Sequence, residues 1–175
     1  AHIQAPEEFQ SKHTEITSDD ERYAIWKKFL EKWPAKRIDA LTLDEYTTYG
    51  EPYQAFCNWI EWWTEKLGSV WGGSSYKFGV FRQDPNGEVK RDSTHDGDGI
   101  YKWYKCYGSS AADVFSYVKK TFSSIAEAVS QGDLDAIDSV SFGHAIKWKI
   151  AFLYQSMDNP IVIPIYSKKM LSSAS

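Results

Sequence analysis

Lysines alternate with aromatic residues in the segment 100–107, which reads Ile-Tyr-Lys-Trp-Tyr-Lys-Cys-Tyr. In an extended strand, Trp103 and Lys105 share one face, and Lys102 and Tyr104 share the other. Flat rings on which a base can stack, with cations nearby for the flanking phosphates, are what a protein needs to hold an extruded or single-stranded nucleobase. The segment therefore indicates a nucleic-acid contact, although aromatic rings on strands more often pack in the core.

Two other segments combine the same residue types. Lys77 follows the loop 71–75, Trp-Gly-Gly-Ser-Ser, in which two adjacent glycines would let the backbone approach a ligand closely. Lys147 and Trp148 open the segment 147–154. In this hypothesis the lysines bind phosphates, the rings stack on an extruded base, and the serine hydroxyls hydrogen-bond to it. The predicted DNA- and base-binding residues are Trp71, Gly72, Gly73, Ser74, Ser75, Lys77, Lys102, Trp103, Tyr104, Lys105, Lys147 and Trp148.

No catalytic site is predicted. The sequence has no Gly-x-Ser-x-Gly elbow, no His-Glu-x-x-His helix and no Gly-x-x-x-x-Gly-Lys phosphate-binding loop. A Cys57–His144 pair is conceivable, but Cys57 lies among the apolar positions of a predicted helix, which favours a buried and inert thiol. We therefore expect a domain that is not an enzyme and has no cofactor.

The acidic loop 92–99 partly matches a calcium-binding loop. Its aspartates and a glycine fit the start of the template, but Thr94 occupies the third position and Trp103 the twelfth, where a bidentate glutamate is needed. We expect no metal site there. A metal-dependent nuclease that uses the three aspartates of this loop, Asp92, Asp96 and Asp98, is the least favoured of the functional hypotheses.

The composition is that of a folded globular domain. The chain has 175 residues, of which 42% are hydrophobic, 16% aromatic and 25% charged, and its formal net charge is −4. Residues 1–67 are acidic in sum and residues 68–120 are basic, so one basic face could exist on an acidic protein. No apolar run reaches the roughly 18 residues of a membrane span. Two distant cysteines, Cys57 and Cys106, favour a reduced, cytoplasmic setting.

The pattern of the chain predicts an α+β fold, in which N-terminal helices precede a curved, mostly antiparallel sheet with one long inserted helix; closure into a barrel stays open. Capping boxes at 18–21 and 42–45 open two helices, and Pro34 ends the first of them. A third helix is predicted from Pro52 to Leu67, and the long helix from Ser109 or Ser110 to Val129. Strands are predicted at 76–82, 88–91, 100–107, 147–154 and 161–166.

Three parts of the chain are distinguished by this pattern. Residues 1–17 are expected to be a flexible lead-in or an expression remnant, residues 18–171 a single domain, and residues 172–175 a truncated linker to a further domain.

Several segments together resemble the N-terminal domain of McrB-like AAA+ restriction ATPases, over roughly residues 20–171. They are Leu41–Thr47 (LTLDEYT), Phe56–Glu61 (FCNWIE), Leu67–Ser69, Trp71–Gly79 (WGGSSYKFG), Lys147–Tyr154 (KWKIAFLY) and Ile165–Lys169. The resemblance implies a domain that recognises DNA, through a modified cytosine or a short sequence. It also implies a downstream AAA+ motor and a separate McrC-type nuclease subunit as partners in phage defence.

The favoured hypothesis is thus a DNA-reading domain without a motor of its own. The alternative is a protein-interaction, assembly or phage-sensing domain of the same kind of ATPase, because an acidic, tryptophan-rich helical region also suits a partner protein.

Overall fold

The computed structural model describes residues 18–88 and 91–164. Within these residues it contains six α-helices and a small antiparallel sheet, against which the long helix at Ala111–Ser130 packs, and this confirms the predicted α+β class. The first helix, α1, spans Asp19–Lys32 and begins as predicted, because the Ser18 hydroxyl accepts a hydrogen bond from the Glu21 N–H at 3.2 Å. Trp26 and Phe29 form its buried face, and the helix ends before Pro34.

The second predicted capping box is complete. The short helix α2, Leu43–Tyr46, follows a 3-10 helix at Ala35–Ala40. The Glu45 N–H donates to the Thr42 hydroxyl at 3.2 Å, and the Thr42 N–H donates to the Glu45 carboxylate at 2.9 Å. This anchored turn places the ring of Tyr46 in the core, where its hydroxyl donates to the Phe78 carbonyl at 2.7 Å.

The third helical segment begins later than predicted. Tyr53 has a φ of 51°, which a right-handed helix does not accommodate, so the prediction of a helix from Pro52 is wrong by four residues. The helix α3, Phe56–Asn58, continues directly into a π-helical segment, Trp59–Trp63, and then a 3-10 turn at Glu65–Leu67. The wide π turn is closed by Thr64, whose N–H donates to the Trp59 carbonyl at 3.1 Å.

The sheet has three strands: β1 at Val80–Arg82, β2 at His95–Gly97 and β3 at Tyr101–Tyr104. Their order is β1–β3–β2 and both pairs are antiparallel, with Trp103 of β3 opposite Val80 and Asp96. This described sheet is open rather than a barrel.

The strands β1 and β3 are shorter than predicted, and β2 forms within the segment 92–99 that was predicted to be a loop. Ser75–Phe78 and Lys105–Tyr107 form 3-10 turns instead of extended chain. In the return strand expected at 88–91, Glu88 and Arg91 are not in a strand, and residues 89–90 lie outside the described residues.

The prediction of a strand at 147–154 is wrong. This segment belongs to the helix α6, His144–Tyr154, which packs with α5, Leu134–Ser139, against the long helix α4, Ala111–Ser130. The predicted long helix is confirmed by α4. Residues 161–164 are not a strand either, and the rest of that predicted strand lies outside the described residues.

The helix α6 escaped prediction because it is buried on several sides at once. Ile146, Ile150 and Leu153 have the spacing of one helix face and are almost inaccessible, but the neighbouring Phe152 and Tyr154 are buried as well. An apolar run of this kind has no clear period and can be read as a strand or as a helix.

Lys149 of α6 joins this helix to the end of the π-helical segment. Its side chain is 0% exposed, and its ammonium group donates to the carbonyls of Thr64 at 2.7 Å, Gly68 at 2.6 Å and Leu67 at 3.4 Å. Burial lowers the pKa of Lys149 well below its usual value, while the carbonyl oxygens favour the charged form. The three donors of one ammonium group thus satisfy the carbonyls where the first helical region ends.

Within the described residues, no helix combines the length and the apolar character needed to cross a bilayer.

We expect the substitution Lys149→Met to lower the free energy of unfolding by at least about 2 kcal/mol, because it leaves buried carbonyls without donors. Chemical denaturation followed by circular dichroism measures this loss. Lys120→Met, at an exposed position of α4, is the matched control and should stay within about 0.5 kcal/mol of the parent protein. Equal stability of both variants would show that the carbonyl contacts of Lys149 do not hold the fold.

Two buried tyrosines make stability depend on alkaline pH. Burial raises the pKa of Tyr46 well above its ordinary value of 10.0, and burial also raises the pKa of Tyr154. The unfolded chain therefore loses these protons near pH 10 while the folded chain keeps them, so stability is fully present below pH 10 and falls as the pH rises above it. Urea unfolding between about pH 8 and pH 11 measures the fall. Tyr46→Phe should make it shallower, whereas Tyr23→Phe, at an exposed tyrosine, should not.

Candidate nucleic-acid interface

The predicted base-binding residues do not share one surface. Trp103 is only 5% exposed and belongs to the hydrophobic core, so its ring cannot stack on a base without leaving the core. Tyr104 and Trp148 are half-buried; the ring of Tyr104 packs 5.6 Å from that of Tyr76, and Trp148 lies on the helix α6. The stacking role predicted for Trp103 is therefore wrong, and α6 rather than a strand carries Trp148.

Three of the four lysines predicted to bind phosphates point inward. The ammonium group of Lys102 donates to the Glu88 carbonyl at 2.5 Å, and that of Lys147 donates to the Asp138 carbonyl at 2.7 Å; both side chains are buried. Lys77 forms an ion pair with Glu61 and donates to two further carbonyls. Because these ammonium groups are occupied by backbone and carboxylate oxygens, the prediction that they bind phosphate is not supported.

Lys105 is the exposed member of the four, and its ammonium group donates to the Asp92 carbonyl at 3.1 Å.

The loop 71–75 keeps one accessible ring. Trp71 is 61% exposed, and the following Gly72 and Gly73 have φ values of 96° and 70°. The glycines are needed for this left-handed backbone, and no atom lies within 4 Å of the position a Cβ would take. The hydroxyl of Ser74 accepts from the Tyr76 N–H, and Ser75 is buried. The predicted loop is therefore a turn that displays one indole rather than a built pocket.

The aspartates of the loop 92–99 are used in turns of the backbone. The Asp92 carboxylate accepts from the N–H groups of Thr94 and His95, each at 2.8 Å, and these bonds hold its pKa far below the ordinary range. Asp98 accepts from the Tyr101 N–H at 2.7 Å in the same way. Residues 18–88 and 91–164 contain no group of three or more side chains placed to hold a metal ion.

Cys57 is buried, and burial raises the pKa of its thiol well above the ordinary value, so it is a poor nucleophile.

A cleft in the first, helical third of the chain brings together cationic and aromatic side chains, which the predicted site on the sheet does not. Its volume is about 370 Å³, within the range of roughly 300–1,000 Å³ that small-molecule sites occupy. The lining comes from the end of α1, the 3-10 helix, α2 and the segment before α3. Its members are Lys32, Trp33, Arg37, Asp44, Glu45, Thr48, Pro52, Gln54 and Ala55. We call it the Lys32 cleft.

Cations of the Lys32 cleft lie against indole rings. The Lys32 ammonium group is 5.6 Å from the ring centroid of Trp33 and 5.2 Å from that of Trp59. The Arg37 guanidinium lies 4.8 Å from the Trp33 centroid, and Trp59 stacks on Trp63 at 5.7 Å. The cleft therefore has the interleaved rings and cations that were predicted for the sheet.

The charged residues that line the Lys32 cleft are two cations and two carboxylates, but Asp44 pairs with Arg82 outside the lining, so Lys32 has no carboxylate partner in the described chain. Arg37 donates to the Glu45 carboxylate at 2.5 Å, and hydrogen bonds from Thr42 and Arg37 lower the pKa of that carboxyl, so this pair is neutral in sum. Lys32 donates instead to the neutral Gln54 side-chain oxygen at 2.8 Å. Burial, and then repulsion by Arg37, lower the pKa of Lys32. A ligand that brings negative charge or hydrogen-bond acceptors would relieve both effects.

Two residues of the cleft lining carry buried polar atoms without a partner. The Nε1 of Trp33 and the Oγ1 of Thr48 make no hydrogen bond to any part of the chain that the structure describes, and Trp33 is 3% exposed. Buried polar groups are nearly always paired, and an unpaired one costs about 1–3 kcal/mol. Both atoms are almost inaccessible, so a ligand in the cleft reaches them only if the wall moves, and the Nε1 atoms of Trp62 and Trp103, away from the cleft, are unpaired in the described chain as well.

The sequence carried one signal for this cleft. Within twelve residues, cationic and indole side chains are interleaved at Trp26, Lys27, Lys28, Lys32, Trp33, Lys36 and Arg37. Their helical spacing indicated only a packed helix. The remaining lining comes from short segments, one of which follows the positive φ at Tyr53. No residue pattern predicts how these segments come together.

The chain was compared with protein-family models, with curated proteins and with solved structures, and no match was found in any of the three.

Adjacent threonines at the edge of the cleft allow a paired prediction about stability. Thr48→Val removes an unpaired buried hydroxyl, so we expect the free energy of unfolding to rise by about 1 kcal/mol. Thr47→Val removes the hydroxyl that accepts from the Arg82 N–H at 3.0 Å, and we expect a fall of about 1–2 kcal/mol. Thermal unfolding of both variants checks the opposite signs. A fall for both would mean that the Thr48 hydroxyl already has a partner in the free protein.

Proposed function

We propose that this chain is a DNA-recognition domain of the kind found in McrB-like restriction ATPases and that the Lys32 cleft holds a nucleobase. The observation that carries the proposal is the position of the Lys32 ammonium group, 5.6 Å and 5.2 Å from the centroids of two indole rings, in a cleft of about 370 Å³. Its one hydrogen-bond partner among the described residues is the neutral side chain of Gln54. The sequence led us to expect a base held by aromatic rings and nearby cations. The proposal keeps this recognition mode and assigns it to other residues.

Aromatic stacking supports a base as the occupant. Trp59 and Trp63 are half-buried and stacked on each other, and the Trp59 ring lies 5.2 Å from the Lys32 ammonium group. These two rings lie beside the cleft rather than in its lining, where the ring of Trp33 is only 3% exposed. Each base stacked on an aromatic side chain contributes about 1–3 kcal/mol, with little dependence on which base it is. Stacking thus supplies affinity, and the polar groups of the cleft are left to supply selectivity.

Exposed lysines near the cleft suit the flanking phosphates. Lys28 precedes Lys32 by one helical turn of α1 and shares its face, and Lys36 precedes Arg37 in the 3-10 helix. Both Lys28 and Lys36 are exposed. An acidic protein can bind DNA when its cations are gathered at one place in this way, because phosphate contacts act over a short, salt-screened range.

The wider setting rests on the resemblance alone. In that setting the base that is read is a modified cytosine or part of a short sequence, and binding is relayed to a downstream AAA+ motor and to a McrC-type nuclease subunit.

Binding of short duplexes and single strands, plain, methylated or hydroxymethylated at cytosine, tests the proposal. We expect affinity to fall steeply with salt and Lys32→Gln to weaken binding about tenfold, since it removes the unpaired cation of the cleft. The double substitution of Lys28 and Lys36 by Gln should lower the salt slope by about two.

The matched control is Lys120→Gln, which removes an exposed cation of α4. It should bind as the parent protein does. Absence of binding at low salt, or equal loss in the Lys32 and Lys120 variants, would reject the proposal.

A second candidate function, a protein-interaction domain, is favoured by the exposed ring of Trp71. A partner held by this indole would respond to Trp71→Ala and only weakly to salt, whereas DNA held in the Lys32 cleft would respond to salt and not to Trp71→Ala.

A further inference from the structure

The hydrogen-bonding groups of the Lys32 cleft that remain available are mostly donors. Lys32 uses one of its three donors on Gln54. The Gln54 oxygen accepts from Lys32 at 2.8 Å and from the Trp59 ring N–H at 3.4 Å, so both of its lone pairs are used and its amide N–H groups remain. The Nε1 of Trp33 is also unpaired in the described chain, but it is buried and becomes available only if the wall of the cleft moves.

The acceptors of the cleft are largely occupied. One oxygen of Glu45 accepts from Arg37 at 2.5 Å and the other from the Thr42 N–H at 2.9 Å. Asp44 is exposed at the rim, where one of its oxygens accepts from Arg82 at 3.2 Å and from the Tyr101 hydroxyl at 3.0 Å. The inner wall therefore offers donors, and Thr48 adds a hydroxyl that can take either role.

We propose that the Lys32 cleft reads a guanine base through the two adjacent acceptors of its Hoogsteen edge, O6 and N7. This inference rests on the proposed function and names the base that the site selects as guanine within a short sequence rather than a modified cytosine. Lys32 and the Gln54 amide would donate to this edge, which is the edge that lysine and arginine recognise most often in DNA.

The other bases fit a donor wall less well. Adenine and cytosine each present an exocyclic amino group beside their ring acceptor, and this group would face the donors of Lys32 and Gln54. Thymine offers one carbonyl next to a methyl group on the same edge. On the Hoogsteen edge, guanine is the base with two acceptors side by side, whereas cytosine has its adjacent pair, N3 and O2, on the Watson–Crick edge next to its amino group.

Single-atom changes in the base give the sharpest test. The probes are thymine pentanucleotides with one central guanine, 7-deazaguanine, hypoxanthine, adenine or cytosine, and binding is followed by quenching of indole fluorescence. We expect guanine and hypoxanthine, which share O6 and N7, to bind alike. We expect 7-deazaguanine, adenine and cytosine to bind about tenfold more weakly.

Variants connect the preference to the cleft. Gln54→Glu replaces the donating amide by an acceptor while keeping an oxygen for Lys32, so it should abolish the difference between guanine and 7-deazaguanine. Gln131→Glu makes the same change of charge just after α4 and should keep the difference. Thr48→Val keeps the size of the side chain, and it should weaken guanine binding while the protein itself is stabilised.

The outcomes separate this inference from the proposed function. If all five oligonucleotides bind equally and Lys32→Gln weakens each of them, the domain binds DNA through the cleft without reading guanine, and the inference is overturned alone. A loss on hypoxanthine but not on 7-deazaguanine would show that another edge is read, which also overturns it. If none of the oligonucleotides binds at low salt, the inference and the proposed function are both overturned.

Discussion

The ammonium group of Lys149, enclosed in the core and bonded to three backbone carbonyls, is the contact on which the arrangement of the helices depends. Every helix end leaves carbonyl groups that need donors, and an end that is buried cannot obtain them from water. The π-helical segment ends in such a place, at Thr64 and the turn through Gly68. One lysine from a distant helix supplies the donors, and α6 is thereby held against the first third of the chain.

Other lysines make the same kind of hydrogen bond to backbone carbonyls, and these bonds occupy part of the positive charge of the protein. Lys77 closes the turn at Val70 and Gly72, Lys147 holds the end of α5, and Lys102 holds the chain at Glu88. Each of these lysines was a reasonable phosphate ligand by sequence and is a structural donor in the fold. The cations that remain accessible are therefore concentrated elsewhere, and the end of α1 with its 3-10 helix is one such place.

Local signals in the sequence were sufficient for elements whose ends are set by a few neighbouring residues. The capping box at Thr42 and Glu45 and the helix α4 follow from such signals. The helix α6 could not be predicted in this way, because burial on several faces removes the periodicity that distinguishes a helix from a strand. The direction of a lysine is not encoded locally either, since it depends on which carbonyls the fold leaves unsatisfied.

In the wall of the Lys32 cleft, buried polar atoms have no hydrogen-bond partner in the described chain. Elsewhere in the described chain, lysines pair backbone carbonyls at several element ends, although buried side-chain atoms such as Trp62 Nε1 and Trp103 Nε1 also make no hydrogen bond there. At the cleft the fold leaves an indole N–H and a hydroxyl unpaired and places a cation beside a neutral amide. Thr47, the residue before Thr48, does have its partner in Arg82. A protein that pairs one hydroxyl and leaves its neighbour unpaired loses stability at that position, and such a loss is typical of a site whose partner is a ligand.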